Sequence, residues 1–232
     1  TLLVEPLLTL KAQSLLWSVG YWSLFFLVYA SARGLPAGSP GEAPVAASDA
    51  PPLPQIFLAP RPATLENIVG LVVASRKETR RWPTASYTRL ARMLRDQHGC
   101  KIKIFWEAGQ KALAEEVARG IGAGASVTPP THTIAQLARE LAACRVVVTN
   151  CAGPKHLAVA LGVPTVTIHG SSDPVSWTPV HCDHRSVRLD ELECIGCRLN
   201  KCPYHLECLR QLPAERVLPV VLELLARTEA VT

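Results

Sequence analysis

The sequence predicts an α/β protein in which helices cover both faces of a parallel β-sheet. From residue 67 onward, apolar β-branched runs typical of buried strands alternate with segments of helical spacing. The connections between them are short, as expected where helices join parallel strands. In residues 147–170, an apolar run, a small-residue turn, an amphipathic stretch and a second apolar run follow one another directly. The predicted fold class is therefore a Rossmann-like, doubly wound parallel sheet.

The individual elements follow from the same patterns. Residues 68–74 are a continuous apolar run that predicts a buried strand, and residues 87–96 predict a helix with Leu90, Met93 and Leu94 on one face. Thr133 and Gln136 match a capping box, which marks the start of a helix. The other predicted elements are strands at 101–106, 146–149 and 164–168, helices at 111–121, 133–143 and 154–161, and a C-terminal helix.

This fold predicts where a ligand binds. In doubly wound sheets, ligands bind at the carboxyl ends of the strands. The loops that follow Ala74, Trp106, Thr149 and Ile168 are therefore expected to share one rim.

Two segments of different composition precede the fold, which we place at residues 65–232. Residues 12–32 contain no charged side chain and are long enough to cross a bilayer as a helix. The apolar segment 1–33 is therefore either a membrane anchor or a buried helix left from an N-terminal domain. Residues 34–64 are rich in Pro and Ala, which predicts a linker. Because the first residue is Thr, we expect the chain to be a fragment or a processed product.

The charge balance narrows the class of ligand. The formal net charge is +5, and the basic residues are scattered except at two short pairs, Arg76-Lys77 and Arg80-Arg81. Such a balance suits a small anionic ligand or an acidic membrane surface, and it is too weak to favour nucleic acid.

The first loop of the rim is strongly cationic. Four cations and two hydroxyls, including Ser75, Arg76 and Arg80, follow the first strand within residues 75–83. Guanidinium groups bind phosphate oxygens in pairs, so this loop is a candidate diphosphate clamp. The alternative is a solvated, charged loop without a ligand.

The second candidate site is the turn at residues 150–156. Gly153 permits close approach of a ligand to the backbone, and Pro154 favours the start of a helix, whose free N–H groups suit a phosphate. Lys155 lies in the first helical turn, and His156 beside it either contacts an anionic or sugar group or packs against a neighbouring loop. We take as donor-site candidates the set Ser75, Arg76, Arg80, Asn150, Cys151, Ala152, Gly153, Lys155 and His156.

The third candidate site is a cysteine array, C-x₂-C-x₄-C-x₅-C, near the C-terminus. Four thiols at this spacing could bind zinc or an iron–sulfur cluster, form disulfides in an oxidising compartment, or stay reduced in a packed loop. The candidate metal ligands are Cys194, Cys197, Cys202 and Cys208. The isolated Cys100, Cys144 and Cys182 are expected to be buried or inert.

Taken together, these motifs resemble the C-terminal half of the family 9 glycosyltransferases, which include the ADP-heptose:lipopolysaccharide heptosyltransferases. The resemblance covers residues 68–225. It rests on the basic loop ending in Trp82-Pro83, the segment Thr149-Asn150-x-x-Gly153-Pro154-x-His156-Leu157-Ala158, the segment 168–174 and the cysteine array.

The resemblance implies the C-terminal half of a GT-B fold, in which two Rossmann-like domains face each other across a cleft. Ser75, Arg76, Arg80 and the backbone amides near Ala152 and Gly153 would then approach the diphosphate of an ADP-heptose-like donor, and the loop after Trp106 would approach its ribose. Transfer would need no metal, although the array could hold a structural zinc. The acceptor would be a lipopolysaccharide or another lipid-linked glycan, handled in the cytoplasm at the inner membrane by a peripheral or anchored protein.

Two positions depart from the family pattern. Cys151-Ala152 replaces the Asp-Thr or Asp-Ser that is common before the glycine, and Gln110-Lys111 follows Gly109 where the family tends to have Glu. About sixty residues precede the fold, so the catalytic base is expected to be absent from this chain or supplied by another. The alternatives to a donor-binding domain are a non-catalytic, membrane-tethered binding module and a small structural metal protein.

Overall fold

A computed structural model describes residues 65–179 and 183–229 of the chain. The apolar segment 1–33, the linker 34–64 and Cys182 lie outside these residues. Within the described part, no helix has both the length and the apolar character needed to cross a membrane.

The described strands form one six-stranded sheet, and every pair of neighbours in it is parallel. The strand order is β3-β2-β1-β4-β5-β6, in which the chain moves outward in one direction and then returns to the centre to build the other half. The predicted Rossmann-like fold class is therefore confirmed. The strands are β1 (Ile68–Val72), β2 (Lys101–Phe105), β3 (Ala125–Val127), β4 (Val146–Asn150), β5 (Thr165–Ile168) and β6 (His184–Val187).

Helices connect these strands, and a longer helix completes the described chain. A 3₁₀-helix at Glu78–Arg80 lies in the loop after β1. The α-helices are α1 (Thr84–His98), α2 (Lys111–Ile121), α3 (Ile134–Ala142), α4 (Gly153–Ala160), α5 (Pro174–Trp177), α6 (Glu207–Arg210) and α7 (Ala214–Glu229).

The boundaries differ from the predictions where local chemistry outweighs periodicity. Helix α1 begins three residues earlier than predicted, directly after Pro83 at its N-cap. Helix α4 begins at Gly153 with Ala152 as N-cap, so Pro154 occupies the second helical position and not the first. The capping box of Thr133 and Gln136 is confirmed in both directions.

Four short elements were missed: β3, β6, α5 and α6. Strand β3 has three residues and no fully buried one, and β6 has polar residues at three of its four positions. Both lie at the edges of the sheet, where a strand needs no continuous apolar run. Helices α5 and α6 have four residues each, too few for a helical period to show.

The hydrophobic core lies on both faces of the sheet, as expected for parallel strands between two helical layers. One face packs against α1, α2 and α7, and Trp82 and Tyr87 are fully buried there. The other face packs against α3 and α4 around Phe105 and Leu141. Cys100 and Cys144 are buried, as predicted.

Candidate functional site

A cavity of about 710 Å³ opens at the carboxyl ends of the strands. Its walls come from the loops after β1, β2, β4 and β5, which confirms the prediction that these loops share one rim. The lining residues are Ser75, Arg76, Lys77, Arg80, Glu107, Cys151, Ala152, Gly153, His156 and Trp177.

The loop after β1 is held in place through the backbone of Ser75. Its N–H donates to Gln110 Oε1 at 3.1 Å, and its carbonyl accepts from Gln110 Nε2 at 3.3 Å and from Arg81 Nη2 at 2.5 Å. Arg81 therefore turns back to support the loop, and it is not among the lining residues. The cations of this loop that line the cavity are Arg76, Lys77 and Arg80.

Arg80 has a polar atom that the described protein leaves unsatisfied. Its Nε is buried and makes no hydrogen bond within the described part of the chain. A buried donor without an acceptor costs about 1–3 kcal/mol, so such an atom calls for an explanation. Because the Arg80 side chain lines the cavity, an anion bound by its guanidinium group would offset this cost.

The start of helix α4 forms the opposite wall. No side chain caps this helix, because the N-cap residue is Ala152. A Cβ added to Gly153 would meet no atom within 4 Å, so the space in front of the helix is open. Pro154 has no N–H and the Lys155 N–H donates to Ala152 O, so the Gly153 N–H and the positive end of the helix dipole are what favour an anion at this point.

Asn150 has a different place from the one predicted. Its side chain is fully buried and lies outside the cavity lining. Asn150 Oδ1 accepts from the Trp82 N–H at 2.9 Å, and Nδ2 lies 3.2–3.3 Å from the carbonyl oxygens of Val72, Val73 and Ala74. The Asn150 amide therefore joins the end of β1 and the loop after it to β4. It positions the loop that lines the cavity without lining the cavity itself.

Lys155 is also displaced from its predicted role. Its side chain is 0% exposed, and its Nζ donates to the backbone carbonyl of Trp177. Burial and the nearby charge of Arg80 lower the pKa of Lys155, while Cys151 opposes this shift. Lys155 thus lies beneath the cavity wall and contacts the loop after β5.

His156 and Trp177 form the aromatic part of the wall. Their ring centroids are 6.1 Å apart, with an angle of 63° between the planes. Partial burial and the charge of Lys155 lower the pKa of His156, which favours the neutral ring near pH 7. Of the two roles predicted for His156, the one facing a ligand fits its exposed position on the cavity wall.

Three lining residues, Lys77, Glu107 and Trp177, were not among the donor-site candidates chosen from the sequence. Glu107 is the carboxylate among the lining residues, and it lies in the loop after β2 that was expected to approach a ribose. An acidic residue just after the second strand is the signal that could have named it. Trp177 gave no comparable signal, because it follows a short helix that the sequence pattern does not show.

His169 supports the loop that carries Trp177. It is fully buried, with Nδ1 3.0 Å from Ser172 Oγ and Nε2 3.0 Å from Thr178 Oγ1. Burial, together with the charge of Lys155, lowers its pKa to about 4. The ring is therefore neutral at pH 7. Its two nitrogens contact Ser172 and Thr178, which lie before and after helix α5.

The cysteine array lies behind the rim. Cys194, Cys197, Cys202 and Cys208 are thiols that line one cavity of about 30 Å³. The loop that carries them is bonded to the end of β5, since the N–H groups of Gly196 and Arg198 donate to Gly170 O and Ser171 O.

The chemistry of the array is only partly that of a metal site. Cys202 Sγ accepts the N–H groups of Tyr204 and Leu206 at 3.3 Å each. Burial, together with the other three thiols, raises the pKa of Cys208 to about 11. Over the described ranges, no group of three or more His, Cys, Asp or Glu side chains is arranged to hold a metal ion.

Comparisons with known proteins agree with this architecture. The family model described as glycosyltransferase family 9 (heptosyltransferase) matches residues 23–207. Lipopolysaccharide heptosyltransferase 1 of Escherichia coli strain K12 is 30% identical over 122 residues, which are 52% of this chain and 37% of that relative. The chain therefore spans well under half the length of this curated relative.

Solved structures show the same partial coverage. The structure of E. coli ADP-heptose lipopolysaccharide heptosyltransferase II superposes with a TM-score of 0.59 at 27% identity, covering 70% of this chain and 47% of that one. E. coli heptosyltransferase WaaC with ADP also gives a TM-score of 0.59 at 27% identity, covering 72% of this chain and 47% of that one.

Proposed function

The chain belongs to glycosyltransferase family 9, and we propose that its described domain binds the nucleotide-sugar donor of a heptosyltransferase-like reaction. In this reaction a sugar passes from the donor to a lipopolysaccharide or related glycan. The observation that carries the proposal is the buried Arg80 Nε, which has no acceptor within the described residues and belongs to a side chain lining the same cavity as the uncapped start of α4.

The lining of the cavity suits a diphosphate that links a ribose to a sugar. Arg76, Lys77 and Arg80 supply positive charge on one side, and the Gly153 N–H and the positive end of the α4 dipole face the anion on the other. Glu107 lies after β2, where its carboxylate can accept hydrogen bonds from the hydroxyls of a ribose. ADP-heptose is the donor we propose, because the heptosyltransferase WaaC, on which this chain superposes, was solved with ADP and with ADP-2-deoxy-2-fluoro heptose.

The chemistry that fits this site is direct displacement. An acceptor oxygen attacks the anomeric carbon, the bond from that carbon to the diphosphate oxygen breaks, and the electron pair leaves on the diphosphate. Arg80, Arg76 and the start of α4 stabilise the negative charge that develops there. The proton of the acceptor hydroxyl passes to a general base, a role that we assign to no residue of the described chain.

Replacing Arg80 with Met is expected to weaken ADP binding by about tenfold or more, because a charge-assisted hydrogen bond contributes about 1.5–3 kcal/mol. Isothermal titration calorimetry of the chain with ADP measures this change. Arg119→Met is a matched control, since Arg119 is an exposed residue near the end of α2 that does not line the cavity.

Two results would contradict the proposal. One is a folded wild-type chain that binds none of ADP, UDP, GDP or their sugars. The other is an Arg80→Met variant that binds ADP as tightly as the Arg119→Met control. Donor binding without glycosyl transfer, even when a partner domain is supplied, would favour the alternative of a non-catalytic binding module.

The family match also bears on the N-terminal segments. It begins at residue 23, inside the apolar segment 1–33, and continues through the linker 34–64. This favours a remnant of a family domain over a separate membrane anchor. We further propose that the acceptor is lipid-linked and that the protein works at the cytoplasmic side of the inner membrane, which fractionation of cells expressing the chain would test.

We also propose that the cysteine array holds a structural metal ion, zinc being the first candidate. Four thiols around a cavity about as large as one water molecule support this, and ligation of an ion would draw them closer together. Elemental analysis after dialysis is expected to find about one zinc per chain, and Cys202→Ser is expected to lose it. Cys144→Ala is the control for removing a buried thiol, and a metal-free, folded wild-type chain would refute the proposal.

A further inference from the structure

Trp177 lies outside the hydrophobic core. Its side chain is 44% exposed, whereas Trp82 is fully buried. The ring lines the rim cavity beside polar and charged groups and meets the ring of His156. An exposed aromatic side chain on the wall of a polar cavity offers apolar surface to whatever enters that cavity.

The backbone beneath this ring is held from three directions. Asp173 caps α5 by accepting the Val175 N–H at 3.1 Å. Thr178, the residue after Trp177, bonds to His169 at 3.0 Å. The buried Nζ of Lys155 donates to the carbonyl of Trp177 itself. A buried ammonium is costly unless it is well paired, so Lys155 is a strong constraint on where Trp177 lies.

The order of the strands fixes which end of the cavity Trp177 occupies. Along the sheet the order is β2, β1, β4, β5, and these strands lead to Glu107, the cations, the start of α4 and Trp177, respectively. The anion site is therefore in the middle, with Glu107 at one end and Trp177 at the other. If the ribose lies at Glu107, the group on the far side of the diphosphate lies at Trp177.

We propose that Trp177 forms the sugar subsite of the donor, with its ring against a C–H face of the sugar, and that Lys155 is a positioning residue which holds Trp177 in place. This inference rests on the proposed function. His156, whose ring meets that of Trp177, limits the movement of the ring and lies within reach of the same subsite.

The experiment compares ADP with ADP-heptose on the full 232-residue chain by isothermal titration calorimetry. We define the sugar increment as the ratio of the two dissociation constants, ADP over ADP-heptose. Trp177→Ala is expected to reduce this increment about fivefold while ADP affinity changes less than about twofold, since an aromatic contact contributes about 0.5–1.5 kcal/mol. Trp177→Phe is expected to keep most of the increment.

Two further variants separate positioning from general damage. Val175→Ala is the matched control, because Val175 is 87% exposed on the same short helix and does not line the cavity. Lys155→Met is expected to reduce the increment in the wild-type background and to have no further effect in the Trp177→Ala background. A merely structural role for Lys155 would lower ADP affinity in both backgrounds.

The outcomes distinguish this inference from the proposed function. A wild-type chain that binds neither ADP nor ADP-heptose overturns both. A wild-type chain that binds ADP, but binds ADP-heptose no more tightly, overturns only the sugar subsite. Equal losses of both affinities in Trp177→Ala also overturn it, because the ring would then contact the nucleotide. Loss of the increment alone supports it.

Discussion

Replacing Asn150 with Asp is expected to lower the free energy of unfolding by about 4 kcal/mol at pH 7, the range for leaving a buried charge without a partner. The two side chains have the same shape, but Asp lacks the N–H groups that face the carbonyls of Val72, Val73 and Ala74. A carboxylate oxygen would then face carbonyl oxygens in a site with 0% exposure. Urea denaturation followed by circular dichroism measures the change.

The loss has a characteristic pH dependence. Burial next to carbonyl oxygens raises the pKa of the introduced Asp, so the folded variant binds a proton more readily than the unfolded one. The difference from wild type should therefore shrink as the pH falls from 7 to 5. The fraction that remains folded should also bind ADP weakly, because Asn150 Nδ2 no longer holds the carbonyls of Val73 and Ala74, which lead into the cationic loop.

Gln97→Glu makes the same amide-to-acid change at an exposed position on α1 and is expected to change the stability little. If Asn150→Asp were no less stable than Gln97→Glu, the role we assign to the Asn150 amide would be wrong.

Lowering the pH from 7 to 5 is expected to cost the wild-type domain about 2 kcal/mol of stability through His169 alone. The folded pKa of His169 is about 4, below its usual value of 6.5, because burial disfavours the charged ring. Between these two values the unfolded chain binds a proton that the folded chain does not. Stability is therefore full above pH 6.5 and falls as the pH decreases, by about 3 kcal/mol in total once the pH is below 4.

Two cations near His169 also lower its pKa. The cations Lys155 and Arg188 lower the pKa further, and the opposing effects of Asp173 and the carbonyl of Ser172 are smaller than that of burial. His169→Gln removes the titrating group, so its stability should vary less with pH between 7 and 5. Urea denaturation at each pH provides the test, with the exposed His98→Gln as control. The same pH slope in His169→Gln and wild type would exclude His169 as the source.

The elements that could be predicted are those whose signal is local. The buried strands β1, β4 and β5 are rich in apolar and β-branched residues, and the capping box at Thr133 is complete within four residues. Edge strand β6 and helix α5 carry no such signal, because their stability comes from neighbours distant in sequence.

Some residues of the candidate site could likewise be predicted from the sequence, and others could not. Arg76, Arg80 and Gly153 could be identified because each belongs to a loop that must follow a strand at the rim. Arg81 and Lys155 are cations in the same loops, yet one turns back to Ser75 and the other lies beneath Trp177. The spacing of the residues does not distinguish the cations that line the cavity from those that support its walls.

The sequence by itself determined the fold class, the family and the rim on which the ligand site lies, because periodicity, turn residues and motif order act over short stretches of chain. The tertiary structure alone decided that Asn150 faces inward, that Arg80 Nε makes no hydrogen bond within the described residues, and that Trp177 and Glu107 line the same cavity. These facts depend on which side of a loop each side chain takes. That choice is made by packing between segments far apart in the sequence.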